Sequence, residues 1–312
     1  MKDLLVITGP TATGKTELAI NIARKINGEI ISADSMLVYK GMDIGTAKPS
    51  AEDLEKAKHY MIDIVNPDEE FNVAIYKEMV EELIEDITDR GKLPIMAGGT
   101  GLYIKAVIDD YTFKDTETDP NFRSSLLEMA RLKGTEHLHK ELSLVDSATA
   151  NKLHPNDTRR IIRALEIYNE KGKPLSSISP RDARGRKYKV KMFGLRMRRE
   201  NLYNRINNRV DEMLSMGLIE EVRGLLLKGY DTGLVSMKGL GYKEMASFIK
   251  GETTLEEATY LLKRNTRRFA KRQLTWFRKE TRINWIDVEK HSDPLSIVGE
   301  IISKLEGLPQ DT

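Results

Sequence analysis

The stretch LLVITGPTATGKTELA, Leu4–Ala19, establishes how the chain begins to fold. Leu4–Ile7 is an apolar run of strand length, and the residues from Lys15 onward have helical spacing. Between them, GPTATGKT matches the phosphate-binding pattern G-x-x-x-x-G-K-[ST] in full, with the strand and helix that this pattern requires. We therefore predict a phosphate-binding loop, called the phosphate loop below, made of Gly9, Pro10, Thr11, Ala12, Thr13, Gly14, Lys15 and Thr16.

Several independent groups of this loop would hold phosphate. Backbone N–H groups of the loop and of the following helix N-terminus converge on one anion. Lys15 adds a positive charge, and the Thr16 hydroxyl can bind magnesium, so Mg²⁺ is the expected cofactor. The pattern indicates phosphate without indicating which molecule carries it. An ordinary glycine-rich turn between a strand and a helix is the alternative.

Composition limits the classes of protein to which the chain can belong. Its 312 residues are 40% hydrophobic, enough for one large domain and a smaller one, and its net charge is only +2. Because there is no cysteine, disulfides and thiolate metal sites are excluded. No apolar run approaches the ~20 residues that cross a bilayer, and the N-terminus lacks a signal-peptide pattern. We expect a cytoplasmic protein without a membrane partner, and nothing in the sequence requires more than a monomer.

Short apolar runs alternate with helical spacing over the first hundred residues. This alternation predicts an α/β fold, a P-loop-containing parallel sheet flanked by helices. The predicted strands are Leu4–Ile7, Glu29–Ser32, Tyr60–Ile64 and Leu93–Ala97. Apolar residues at helical spacing, followed by Gly91, predict a helix over Asn72–Arg90.

Beyond this region the pattern becomes helical. The predicted helices are Phe122–Leu132, Glu136–Leu144 and Thr158–Glu170, with no obvious strand among them. We therefore predict a small helical insertion domain over residues 113–186, and a P-loop catalytic core made of residues 1–112 and 187–312. The core resumes with a strand at Lys189–Met197 and continues mainly as helix.

Asp34 follows the second predicted strand, so we expect it at the same edge of the sheet as the phosphate loop. There a carboxylate can bind metal indirectly or accept a proton from a nucleophile, although Asp34 could equally cap a turn. Leu93–Ala97 is followed by Gly98-Gly99-Thr100-Gly101, without the carboxylate that often holds magnesium in ATP-using P-loop enzymes. This argues against ATP hydrolysis. The Thr100 hydroxyl could bond a ligand, or the glycines could form a plain turn.

Residues 263–279 contain eight Lys or Arg and no Asp or Glu, with three aromatic residues interleaved. The basic positions recur every three to four residues, so a helix would gather most of them into one stripe. Such a stripe can follow RNA phosphates, while the aromatic residues stack on bases or bury the opposite face. A solvated charged face is the alternative, but such faces normally mix acidic and basic residues.

Six segments together resemble the tRNA dimethylallyltransferases, also called tRNA isopentenyltransferases. The segments are GPTATGKT (9–16), DSMLVYKGMDIGTAKP (34–49), GGTGLY (98–103), DTRRIIRALEI (157–167), KGLGYKE (238–244) and RNTRRFAKRQLTWFR (264–278). They occur in the family order and span most of the chain. One departure is Leu37, where the family usually carries Gln.

The resemblance implies transfer of a dimethylallyl group from dimethylallyl diphosphate to N6 of adenine 37 in the tRNA anticodon loop. The phosphate loop and Arg223 would then hold the diphosphate. Asp34 would be the general base, with Thr100 and Lys15 as the other catalytic residues. The resemblance and the basic stripe predict tRNA contacts from Asp34, Ser35, Met36, Leu37, Thr100, Arg123, Arg159, Arg160, Ile161, Ile162, Arg163, Arg264, Arg267, Arg268, Lys271, Arg272, Trp276 and Arg278.

Two other functions use part of these features. A small-molecule or nucleotide kinase that binds ATP would explain residues 9–16 but not the acid-free basic stripe. A non-catalytic RNA-binding protein would explain the stripe but not the phosphate loop. Transfer of label from dimethylallyl diphosphate to tRNA distinguishes the three.

Overall fold

The computed structural model describes residues 1–111, 119–178, 187–291 and 293–306. The chain divides into two compact units, one formed by Met1–Asp109 and Arg186–Thr312 and the other by Asp110–Gly185. The domain boundary predicted at residues 112 and 113, and the predicted end of the insertion at residue 186, lie outside the described residues.

Six parallel strands form one sheet in the first unit. The strands are β1 (Lys2–Thr8), β2 (Gly28–Ser32), β3 (His59–Tyr60), β4 (Leu93–Gly98), β5 (Tyr188–Arg196) and β6 (Ile283–Asp287). Their order across the sheet is β3-β2-β4-β1-β5-β6. Because the strands are parallel, the carboxyl ends of β1, β2 and β4 meet at one edge, called the carboxyl edge below. The predicted parallel sheet is confirmed.

Helices surround this sheet and form the second unit. The helices are α1 (Lys15–Ile26), α2 (Ala51–Lys56), α3 (Val73–Asp89), α4 (Gly101–Ile108), α5 (Pro120–Lys133), α6 (Thr135–Val145), α7 (Ser147–Ala150), α8 (Thr158–Lys171), α9 (Arg199–Ser215), α10 (Leu218–Leu227), α11 (Tyr242–Ile249), α12 (Leu255–Phe277) and α13 (Pro294–Glu306). Within the described ranges, no helix is long and apolar enough to cross a membrane.

The strand β1 is covered on both faces, which explains its continuous apolar run. Its residues Leu4–Ile7 are at most 1% exposed. On one face they join a core that includes Tyr76 of α3 and Ile104 of α4. On the other face the core includes Ile22 of α1 and Ile301 of α13. The phosphate loop therefore begins from a strand that is packed on both faces.

The second unit has its own core of helical residues. Leu138 and Leu142 of α6 pack with Ile161 of α8, and all three are fully buried. Residues 119–178 of this unit contain no strand, in agreement with the helical prediction. His139 of α6 is partly buried, and its ring Nε2 lies 3.0 Å from Ala150 O.

The main errors of the sequence prediction lie in short elements. The strand predicted at Tyr60–Ile64 is only the two-residue β3, because Met61 and Asp63 adopt positive φ and leave the extended conformation. Helix α4 was not predicted, since its run LYIKAVI is apolar on several sides and gives no helical period. Helices α2, α7, α11 and α13 were also missed.

Candidate active site

The phosphate loop between β1 and α1 has a backbone conformation suited to binding an anion. Gly9 lies close to β5, where a Cβ would come within 2.6 Å of Leu195 O, so only glycine leaves room for this approach. Gly14 caps α1 in the left-handed conformation without a side-chain hydrogen bond. The first N–H groups of α1 are therefore left for an anion. The strand, loop and helix predicted for residues 4–19 are confirmed.

Lys15 lies over this loop in a partly buried position. Its Nζ donates a hydrogen bond to Pro10 O at 2.7 Å, and the Thr13 hydroxyl donates to the same carbonyl at 2.8 Å. Burial lowers the pKa of Lys15 to about 8. The positive charge of Arg209 also lowers this pKa, whereas the negative charge of Asp34 raises it. The three charges are thus close enough to influence one another. A bound anion would favour the protonated form of Lys15.

Arg209 of α9 belongs to this site, and the sequence did not indicate it. Burial lowers the pKa of its guanidinium, whereas the charges of Asp34 and Glu212 raise it. In the segment NRINNRVDEM nothing distinguishes Arg209 from Arg205, which is exposed. The one available signal is helix phase, since Arg209 adjoins the core position Val210. A partly desolvated arginine here supplies a second positive charge for an anion.

Asp34 and Thr100 lie together at the carboxyl edge. The Thr100 N–H donates to Ala33 O at 3.0 Å, and the Ser35 N–H donates to Thr100 Oγ1 at 3.1 Å. The Met36 N–H donates to Asp34 Oδ1 at 2.9 Å, while Oδ2 has no hydrogen-bond partner in the described part of the chain. The turn-cap interpretation of Asp34 is therefore correct for one oxygen. The other oxygen is free to accept a proton.

The segment that follows Asp34 is held in place by Glu221 of α10. This carboxylate accepts hydrogen bonds from the N–H groups of Asp43, Ile44 and Gly45 at 2.7–3.1 Å. The Tyr242 hydroxyl donates to it at 2.7 Å. Four hydrogen bonds to one carboxylate thus hold this loop in place.

Two residues of this region were predicted from the resemblance. Arg223, the predicted diphosphate contact, is exposed on α10, and no hydrogen bond or ion pair of it occurs among the described residues. Its contact with diphosphate stays a prediction, and Arg209 is the arginine whose charge reaches Lys15 and Asp34. At position 37, where the family usually has Gln, the Leu37 carbonyl accepts a hydrogen bond from the Asp63 N–H at 3.1 Å.

The basic stripe on α12 is confirmed as helical but is divided into two parts. Arg264 and Arg267 are partly buried, and Arg267 Nη1 donates to Asn207 Oδ1 of α9 at 2.6 Å. The solvent-facing part, called the basic face below, consists of Arg268, Lys271, Arg272, Arg278 and Lys279. Trp276, 40% exposed, adjoins it. A direct phosphate contact is therefore better supported for the basic face than for Arg267.

A pocket of about 580 Å³ opens beside the basic face. Ile104, Ile108 and Met192 supply apolar lining, and Lys105 and Arg272 are among its basic residues. The combination of an apolar interior and basic residues suits a ligand with both a flat apolar part and a phosphate.

The residues predicted to contact RNA in the second unit differ in exposure. Ile161 is 0% and Ile162 is 3% exposed, so their side chains belong to the helical core, and their contact with RNA stays a prediction. Arg159 and Arg160 are exposed on the same helix. Arg123 Nε pairs with the buried carboxylate of Glu166 at 2.8 Å, and Arg163 Nη1 pairs with it at 3.4 Å.

The chain is similar to known proteins over nearly its whole length. The sequence model described as IPP transferase matches residues 37–280 of the chain. A tRNA dimethylallyltransferase of Desulforudis audaxviator is 55% identical over 303 residues, 97% of each chain. One of Pelotomaculum thermopropionicum is 52% identical over 305 residues, 98% of this chain and 97% of the relative. The chain belongs to the IPP transferase family.

The fold of this IPP transferase is also similar to those of solved structures. The crystal structure of a tRNA isopentenylpyrophosphate transferase from Bacillus halodurans is 43% identical and has a TM-score of 0.72, covering 98% of this chain and 97% of its own. A eukaryotic dimethylallyltransferase solved while acting on tRNA is 27% identical and has a TM-score of 0.81. It aligns with all of this chain and with 81% of its own.

Proposed function

We propose that this transferase moves a dimethylallyl group from dimethylallyl diphosphate to the exocyclic N6 of adenine 37 in the tRNA anticodon loop. One observation carries the proposal. Asp34 has an open carboxylate oxygen beside Thr100, at the edge where the phosphate loop, Lys15 and Arg209 offer positive charge. The bacterial relatives named tRNA dimethylallyltransferase and the eukaryotic enzyme that acts on tRNA support it.

The positive groups at the carboxyl edge suit a diphosphate leaving group. In the reaction, the bond between the allylic carbon and the diphosphate oxygen breaks, and a bond from N6 to that carbon forms. Negative charge therefore builds on the diphosphate. The loop N–H groups, Lys15 and Arg209 lie at this edge and oppose that charge as it develops.

Asp34 is the group that can accept the proton from N6. An adenine amine is a weak nucleophile, because its lone pair is delocalised into the ring, and it must lose a proton as it reacts. The open oxygen of Asp34 is the acceptor. Thr100 holds the backbone on both sides of Asp34 through Ala33 and Ser35, so it keeps this oxygen in position.

Magnesium fits this site as an ion bound mainly through the substrate. No group of three or more His, Cys, Asp or Glu side chains that could hold a metal occurs within the described residues. Mg²⁺ is commonly bound by one or two protein groups together with phosphate oxygens and water. Thr16 is exposed at the start of α1 and can supply its hydroxyl, with the carboxylate of Asp34 available indirectly. The ion would reduce the negative charge of the leaving diphosphate.

The RNA is proposed to reach this site as an unpaired loop. A base in a single-stranded loop leaves its stack at smaller cost than a paired base, which favours an anticodon-loop adenine. The basic face of α12 supplies charge for the phosphates on either side. One chain carries all these groups, so we propose that a monomer is sufficient for the reaction.

The proposal is tested by incubating the protein with labelled dimethylallyl diphosphate, Mg²⁺ and unmodified tRNA. Label should appear on adenine only when all three are present. In the kinase alternative, ATP would be consumed without such transfer. That alternative is weaker, because β4 runs into Gly98-Gly99-Thr100 without a carboxylate for nucleotide-bound magnesium. ATP turnover without label transfer would contradict the proposal.

A further inference from the structure

Gln273 is a buried polar residue on α12, the helix that also carries the basic face. It is 6% exposed, while its neighbours Lys271 and Arg272 face solvent. A buried amide is costly unless both its oxygen and its nitrogen are hydrogen-bonded. The buried amide of Gln273 therefore needs a donor for its oxygen and an acceptor for its nitrogen.

Both ends of the Gln273 amide bond to backbone of the carboxyl edge. The Thr11 N–H, in the phosphate loop, donates to Gln273 Oε1 at 2.9 Å. Gln273 Nε2 donates to Gly99 O at 3.0 Å, one residue before Thr100. One partner is a donor and the other an acceptor, so the orientation of the amide is fixed. A single side chain thus joins the phosphate loop to the turn that holds Thr100.

The turn after β4 is shaped to receive α12. A Cβ at position 99 would overlap Gln273 Nε2, and a Cβ at position 101 would overlap the Trp276 ring. Glycine at these two positions allows the helix to approach the backbone closely. Gly99 and Gly101 therefore allow α12 to pack closely against this turn.

We propose that Gln273 is a positioning residue that couples RNA binding on α12 to diphosphate binding in the phosphate loop. RNA on the basic face restrains α12, and the Gln273 amide passes that restraint to Thr11 on one side and to Gly99 on the other. The phosphate loop is then held in one arrangement relative to Thr100 and Asp34 when diphosphate binds. Two ligands that favour the same arrangement of one rigid element bind cooperatively, and the coupling is reciprocal. This inference rests on the proposed function.

The coupling is measured as the ratio of two dissociation constants. Calorimetry gives the Kd of inorganic pyrophosphate with Mg²⁺, with and without a saturating unmodified anticodon stem-loop RNA. In the wild-type protein we expect RNA to tighten pyrophosphate binding by about fivefold or more, within the usual range of such couplings. A wild-type ratio of one would overturn the inference.

The variant Gln273→Met keeps the shape of the side chain but removes both hydrogen bonds. We expect its ratio to fall towards one, with KM for dimethylallyl diphosphate raised, kcat lowered and RNA affinity unchanged. Thr266→Ala is the matched control on α12, because it removes a hydroxyl that bonds only Leu262 O within the helix, and it should keep the wild-type ratio. A wild-type ratio in Gln273→Met would overturn the inference.

A second variant approaches the same contact from the turn. Gly99→Ala places a methyl group where the Gln273 amide lies, so it should reduce the ratio in the same way and keeps the test valid if Gln273→Met does not fold. An unchanged ratio in Gly99→Ala would count against the inference equally. Absence of label transfer by the wild-type protein would contradict the proposed function itself. Label transfer with an unchanged ratio in both variants would contradict only the role of Gln273.

Discussion

Three charged side chains define the centre of the site: Lys15, Asp34 and Arg209. None of them is an isolated surface group, since each changes the charge environment of another. Their closeness costs stability in the free protein, because two partly buried cations lie near one carboxylate. That arrangement is useful only when an anion binds. At the scale of residues, these charges therefore suit an anionic leaving group such as diphosphate.

Asp34→Asn tests the proposed base. The amide keeps a similar shape and an oxygen for the Met36 N–H, but it cannot accept a proton. We expect kcat to fall by about 10²–10⁴-fold, the usual contribution of a general base, with tRNA affinity nearly unchanged. Single-turnover rates and RNA binding assays measure the two quantities. Asp53→Asn, at a partly exposed position of α2, is the control and should retain the wild-type rate. An unchanged rate in Asp34→Asn would remove Asp34 from the mechanism.

The lowered pKa of Lys15 makes a prediction about stability. Its pKa is about 8 in the folded protein and 10.5 when unperturbed, so the unfolded state binds more protons between these values. The stability of the wild-type protein relative to Lys15→Met should therefore rise with pH from about 8 to about 10.5, with a slope on the order of 1 kcal/mol per pH unit. Below pH 8 the difference should be constant. Urea unfolding of both proteins across this range measures it, and a flat difference above pH 8 would show that Lys15 is not desolvated.

At the scale of elements, sequence patterns predicted what depends on local periodicity. The strand-loop-helix unit of residues 4–19 and the long helix α3 were predicted nearly to their ends, because each has a strong apolar period. Asp34 and Thr100 were placed correctly, since both follow parallel strands that share an edge. Contacts made by packing were not predictable. Arg209 and Gln273 resemble their polar helix neighbours, and only the folded chain shows that they point inward.

The division of the basic stripe gives a prediction for α12. Arg268→Glu should weaken tRNA binding without reducing stability. The slope of log Kd against log salt concentration should fall by about 1 for each phosphate that the variant no longer neutralises. Arg267→Glu should instead reduce stability, because Arg267 bonds Asn207 and lies over the Tyr203 ring. Salt titrations and thermal unfolding of the two variants distinguish them. Equal loss of stability in both would indicate a structural role for the whole stripe.

The second unit offers a matching pair of variants on α8. Ile161→Ala should lower the free energy of unfolding of this unit by about 2–5 kcal/mol, as expected for a fully buried isoleucine. Arg159→Ala, at an exposed position, should leave stability unchanged and weaken tRNA binding. Denaturant unfolding and RNA binding assays measure both. A large loss of stability in Arg159→Ala would contradict the placement of α8.

On the scale of the whole molecule, acidic and basic residues nearly cancel, so RNA affinity depends on where the basic residues lie. The chain has 50 basic and 48 acidic residues, so its net charge gives little general attraction to RNA. RNA affinity has to come from local surfaces such as the basic face. Gln273 joins α12, the helix of the basic face, to the phosphate loop and to the turn before Thr100 at the carboxyl edge.

The most direct measurement is the stoichiometry of transfer to two RNAs. The RNAs are unmodified anticodon stem-loops that differ only in carrying adenine or guanine at position 37. With dimethylallyl diphosphate and Mg²⁺, one pyrophosphate should be released for each dimethylallyl group found on N6 of adenine 37, and the guanine RNA should give neither product. Pyrophosphate release without transfer, or equal transfer to both RNAs, would contradict the proposed reaction.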